Sequence, residues 1–216
     1  MKFINLSKIF LVLILPFLIF LLVFNFTVFS NSFFKNAFSK YGVYDKFSNA
    51  EAMHQKVIDF IEGKSGELPA NFNDRERQHL DDVKNVISAL TITLYIIIAL
   101  FVILLFISSF MLKINSSIIN FVGKVLMWGG ILTVAAALLL FIAVKIDFGP
   151  TFESMHQMFF QKGTYLFDPA KESIVNLYPE QLFMDLGIRI SAWTVAAAVI
   201  CILIGLYLVF KTKKRK

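Results

Sequence analysis

The chain holds three histidines, His54, His79 and His156, and a single cysteine, Cys201. Imidazole has an ordinary pKa of about 6.5, so it takes or gives a proton near neutrality. Two of the three stand where acid–base chemistry is possible. His79, Asp82, Val83 and Val86 recur at i, i+3, i+4 and i+7, so one helix face would carry an imidazole, a carboxylate and an apolar continuation. Phe152, Met155, His156, Phe159 and Phe160 repeat with the same period and set His156 in the middle of an apolar face, with Glu153 close by. A polar group on such a face is expensive unless it is paired or used. Plainer readings stand beside these: His79 solvated among the mixed charges of RERQHLDDVK, and His156 reaching out to lipid headgroups. His54 follows Met53 on another amphipathic stretch, where Glu51 is placed to hold it, and reads as structural.

Several chemistries lack their parts. The chain has no P-loop, GxGxxG, HExxH or GxSxG motif and no cysteine pair, and Cys201 reads as a small apolar packing residue. His79, Asp82 and His156 are of metal-ligand type, but their spacing does not demand a metal, and neither metal nor cofactor is expected. No transporter-like repeat is visible, and no apolar span has a charge at its centre, which argues against an ion pathway. Arg189 opens the last span near Trp193 and reads as an interface anchor, with Asp185 or an acyl carbonyl as further partners. Tyr41, Tyr44 and Phe47 read as interface belt or packing.

The elements that must position these residues belong to a membrane protein. Hydrophobic residues make up 57% of the chain and its mean hydropathy is +0.71, above the roughly 45–50% apolar content of soluble domains. Crossing a hydrocarbon core takes about 20 apolar helical residues, and stretches near 9–29, 86–112, 125–146 and 190–210 provide them. The first is longer than a signal-peptide core and no cleavage site follows it, so it is expected to remain as an anchor. Lys2, Lys8, Lys113, Lys124 and the tail KTKKRK contain every cation flanking one side, with no acid among them. All 15 Asp and Glu residues fall within 31–85 or 147–187. The excess of Lys and Arg marks the cytoplasmic side. Both termini are therefore expected inside, with outer segments at 30–85 and 147–189 and a tail suited to anionic headgroups. The net charge of +6 sums a basic inner face and acidic outer loops, so nucleic acid is not an expected partner.

Both outer segments carry helix signals. Ser48 and Glu51 are spaced as a capping box, and Gly63 stands where a helix would stop. A second capping box begins at Asn73 with Glu76 three residues on, and its helix is expected to run straight into the second span, leaving His79 about 10 Å above the hydrocarbon edge. Gly149-Pro150 predicts a new helix with Pro150 at its first position, interfacial or re-entrant, ending by Gly163. The fold class is thus all-α: one membrane domain of four transmembrane helices with an extracytoplasmic helical cap.

The segments YGVYDKF, NFNDRERQHLDDVKNV and FESMHQMFFQKGTYLFDPAKESIVNLYP resemble those of the bacterial lipoprotein intramolecular transacylase family, in order and topology over essentially the whole chain. Where the family pattern has Trp, this chain has Tyr165 in GTYLFDP. The resemblance implies a cell-membrane enzyme that takes a diacylglyceryl-modified lipoprotein and moves the sn-2 acyl chain to the α-amino group of its N-terminal cysteine, leaving the lyso form. It implies two catalytic histidines, which fall on His79 and His156. Asp82, Glu153, Arg189, Tyr165 and Tyr41 are the expected supporting residues, and membrane lipids the expected surroundings. A non-catalytic lipid- or lipoprotein-binding protein and a metal-dependent membrane hydrolase are the alternative readings.

Overall fold

The structure is a computed structural model that describes residues 2–160 and 163–214, with backbone alone at 115 and 116. Nine helices are formed among the described residues: α1 (Lys2–Val28), α2 (Asn31–Lys40), α3 (Val43–Lys46), α4 (Ala50–Ile61), α5 (Asp74–Leu112), α6 (Asn115–Ile146), α7 (Phe148–Phe159), α8 (Ile174–Leu177) and α9 (Glu180–Lys213). Four of these, α1, α5, α6 and α9, are long and apolar enough to cross a membrane. Their outward surfaces are apolar, with Phe26 84%, Phe106 71% and Leu139 70% exposed. Lipid is the solvent that such surfaces require. The last two residues of the basic tail, Arg215 and Lys216, lie outside the described residues, as do Gln161 and Lys162.

The chain forms two compact units. The first comprises Met1–Asn25, Ile92–Ile142 and Arg189–Lys216, the apolar lengths of the long helices. Here α6 and α9 meet backbone to backbone. A Cβ added to Gly205 would stand 2.6 Å from the Met127 nitrogen, and one on Gly130 would stand 2.9 Å from the Ala198 carbonyl oxygen. Small residues allow this approach, and dispersion holds helices together where lipid removes the hydrophobic drive. Ser7 and Ser108, both buried, share a 2.8 Å hydrogen bond between α1 and α5.

The second unit comprises Phe26–Thr91 and Ala143–Ile188 and contains all three histidines. Helix α5 begins as its sequence predicts. The Asn73 side chain accepts from the Glu76 N–H at 2.9 Å and the Glu76 carboxylate accepts from the Asn73 N–H at 2.7 Å, a complete capping box. The helix then continues without a break from Asp74 to Leu112. The Ser48/Glu51 box does not form: α4 is preceded by Asn49 with no side-chain cap bond, because Glu51 instead accepts from the Tyr44 hydroxyl at 2.9 Å and pairs with Lys35. Gly63 does end α4, in the left-handed conformation at φ 74, with the Lys64 N–H reaching back to Asp59 at 2.8 Å. Pro150 occupies the third position of α7 instead of the first. It is tolerated because N–H groups of a first turn have no helical acceptor.

Candidate functional site

His79 lies in the polar opening of α5, ahead of its apolar run, and His156 lies in the last turn of α7. Their sequence separation is long, yet the two rings stand 6.4 Å apart, centroid to centroid, with planes only 19° from parallel. Aromatic side chains enclose the pair. Phe160 lies 4.9 Å from the His79 ring and 5.5 Å from that of His156. Phe167 edges onto His79 at 5.3 Å, Tyr165 lies against His156 at 4.9 Å, and Phe152 meets His156 edge-on at 4.1 Å.

The nitrogens of the two rings differ in their surroundings. His156 Nδ1 lies 2.8 Å from the Phe152 carbonyl oxygen, which can only accept, so Nδ1 carries the proton and Nε2 a lone pair. His79 is 7% exposed, and its Nδ1 is buried with no hydrogen-bond partner among the described residues. Burial pushes the His79 pKa down to about 4, with the charges of His156 and Arg75 acting in the same direction. Burial also holds His156 below the ordinary value, against the opposing pull of its Phe152 bond and the nearby Glu153 carboxylate. Both rings are therefore neutral at pH 7.

Of the expected supporting residues, Glu153 and Tyr165 belong to this cluster. Tyr165 donates to Glu153 at 2.8 Å and Gln157 donates to the same oxygen at 2.9 Å. The carboxylate thereby anchors the tyrosine that packs on His156. Asp82, half-buried one turn beyond His79, leaves Nδ1 of that ring unsatisfied. Tyr41 is committed elsewhere: its hydroxyl donates to Asp185 at 2.8 Å, and Lys40 pairs with the same oxygen at 2.6 Å. Arg189 belongs to the first unit. Among the described residues no three His, Cys, Asp or Glu side chains gather as a metal ion would need.

The loop that carries Tyr165 and Phe167 is tied down by charged residues that sequence spacing does not single out. Glu172, 6% exposed, accepts from the Asp168 N–H at 2.6 Å and pairs with Arg75 at 3.2 Å. Arg75 donates also to the Gly163 carbonyl at 3.0 Å and to that of Leu166. Glu76, having capped its own helix, accepts from the Ile174 N–H at 2.6 Å with its other oxygen. The only trace of this in the sequence is acidic and basic residues on stretches far apart in the chain.

His54 is structural. It is 4% exposed, packs at 4.1 Å on Phe34, and shares a 2.9 Å hydrogen bond with the Tyr178 hydroxyl; it is not held by Glu51. Burial pushes its pKa down to about 4. Tyr178→Phe, which leaves Nδ1 without that partner, is expected to lower stability by roughly 1–3 kcal/mol and leave turnover per folded molecule unchanged. Thermal melts and activity normalised to folded protein check this.

The model of the family described as lipoprotein intramolecular transacylase Lit matches residues 9–183. No curated protein sequence matches significantly. Among solved structures, the membrane integral lipoprotein intramolecular transacylase Lit from Bacillus cereus superposes with a TM-score of 0.84 at 22% identity, covering 98% of each chain. A variant of that protein with one histidine replaced by alanine superposes at 0.80 with the same identity, over 98% of this chain and 96% of the other. At that identity the likeness shows a shared fold, and the family match extends over most of the sequence. The chain is a multi-pass membrane protein of the lipoprotein intramolecular transacylase family.

Proposed function

We propose that the paired histidines move the sn-2 acyl chain of an S-diacylglyceryl-cysteine to the α-amino group of that cysteine, with His156 as proton carrier and His79 as hydrogen-bond donor to the reacting carbonyl. The observation that carries this reading is the His156 Nδ1 to Phe152 carbonyl bond of 2.8 Å, which leaves Nε2 free as a base. The α-amine has an ordinary pKa of about 8, so a useful fraction is neutral near physiological pH, and an apolar enclosure enlarges it. Its attack on the ester carbonyl closes a ring of about eight atoms, which needs the glycerol folded back on the cysteine. Holding that fold between aromatic faces supplies much of the acceleration.

As the N–C bond forms, negative charge collects on the carbonyl oxygen and the attacking nitrogen becomes acidic. His156 Nε2 takes the proton from nitrogen. The tetrahedral species then breaks its bond to the sn-2 oxygen, and His156 returns the same proton to that oxygen. The products are an amide and a free glycerol hydroxyl, with no covalent enzyme intermediate. His79 serves as a neutral donor. With Nδ1 buried and lacking an acceptor among the described residues, its proton is best placed on Nε2, and a neutral N–H aimed at the developing oxyanion stabilises it without giving up its proton. The depressed pKa of about 4 keeps the ring in that form.

The histidines work on the outer face of the membrane in this reading, with both termini in the cytoplasm and the substrate's anchor in the outer leaflet. Charge asymmetry between the acidic and basic segments supports it. In a Cys201→Ala background, an impermeant maleimide is expected to label Asn49→Cys and Lys171→Cys in intact cells, and Ser117→Cys only after the cells are opened. Labelling of all three from the same side sinks the orientation.

A further inference from the structure

Arg75 and His79 are four residues apart on α5 and so share a face. Between the Arg75 guanidinium and the histidine lies Phe167: the guanidinium stacks on its ring at 5.0 Å, and the ring edges onto His79 at 5.3 Å. The same guanidinium donates to Glu172 at 3.2 Å, to the Gly163 carbonyl at 3.0 Å and to the Leu166 carbonyl. Glu172 takes the Asp168 N–H with its second oxygen at 2.6 Å. The loop is thus gripped by its backbone at 163, 166 and 168. The two residues of this loop whose rings meet the histidines, Tyr165 on His156 and Phe167 on His79, alternate with the gripped positions.

We propose that Arg75 is a positioning residue for transacylation: its planar fork, locked by Glu172, sets the loop so that Tyr165 and Phe167 close the aromatic enclosure around the His79–His156 pair. This rests on the transacylation reading above and adds to it the part that fixes the shape of the enclosure. Lysine cannot substitute, because an ammonium is a point charge and cannot hold two carbonyls and a carboxylate while its face covers a ring. The charge has a second effect in the same place. His79 is faced by His156 from α7 and by Arg75 and Asp82 from its own helix, with Phe160 and Phe167 apolar between them. Removing the cation lets the His79 pKa rise, in line with the direction in which Arg75 acts on it.

The test compares Arg75→Lys and Arg75→Met with the wild-type enzyme in lipid nanodiscs, measuring conversion of a synthetic diacylglyceryl lipopeptide by mass spectrometry per folded molecule. Histidine-selective carbon labelling follows the titration of His79, whose resonance can be assigned because the chain has 3 histidines. Both variants are expected to lose on the order of tenfold or more in kcat with much smaller changes in KM, since misplacement harms orientation and not the anchoring of acyl chains. Only Arg75→Met is expected to raise the His79 pKa. Full kcat in Arg75→Lys overturns the proposal, whether or not Arg75→Met folds, as does a loss in both variants that vanishes once activity is normalised to folded protein. Absence of conversion by the wild type would instead overturn the transacylation reading itself.

Discussion

Replacing His156 with alanine is expected to lower production of the lyso-form lipopeptide by roughly 10²- to 10⁴-fold, the range of a positioned proton carrier. The ring is half-buried and its single backbone bond is local to α7, so the helix and the fold should persist. His79→Ala is expected to lose roughly 10²- to 10³-fold, the cost of one preorganised oxyanion donor. The double variant should fall little below the worse single one, because parts that act on a single tetrahedral species are strongly non-additive. A purely structural role predicts the opposite: losses that track melting temperature and that add. Glu153→Gln should fall between these and the wild type, since Gln keeps an acceptor for the Tyr165 hydroxyl but removes the charge that favours protonated His156. The measurement is mass-spectrometric conversion normalised to folded enzyme. Near-normal conversion by well-folded His156→Ala removes that residue from the mechanism, and near-normal conversion by both single variants removes the mechanism.

The largest effect on stability should come from Glu76, which is 1% exposed. One carboxylate oxygen accepts from the Asn73 N–H at 2.7 Å and the other from the Ile174 N–H at 2.6 Å. Glu76→Ala strands two backbone donors, each worth roughly 1–3 kcal/mol when buried without a partner. It also loosens the start of α5, which carries His79, from the segment that follows the Tyr165/Phe167 loop. Glu76→Gln can accept from only one of the two N–H groups and must turn its own NH₂ toward the other, so about half of the loss remains. Hydrogen exchange at the Ile174 amide reads this directly. Strong protection in wild type should fall by orders of magnitude in Glu76→Ala and by less in Glu76→Gln. An Ile174 amide that exchanges equally slowly in all three would show that the carboxylate does not hold that loop.

Much of the architecture was legible because it depends on short-range regularities. A span needs only length and apolarity, so all four long helices could be read from hydropathy. The Asn73/Glu76 box links residues three apart, a spacing that helix geometry brings together wherever the helix forms. The equally good signature at Ser48/Glu51 failed for a reason outside its own window: Tyr44 and Lys35 offered Glu51 better partners. The same holds for His54. Nearby Glu51 suggested a holder, but the imidazole is held by Tyr178, 124 positions along the chain.

The amino-acid sequence by itself determined that the chain is a four-helix membrane protein, which faces of α5 and α7 carry histidine, and which residues match the family's two motifs. These follow from helical period, apolar length and residue type, all properties of contiguous stretches. Only the tertiary structure decided that the His79 and His156 rings face each other at 6.4 Å and that Arg75 and Glu172 grip the loop that carries Tyr165 and Phe167. It also left one imidazole nitrogen of His54 and one of His79 buried without a partner among the described residues. Those outcomes depend on how segments distant in the chain pack, and on desolvation, which is set by everything that surrounds a group and by nothing in its immediate sequence.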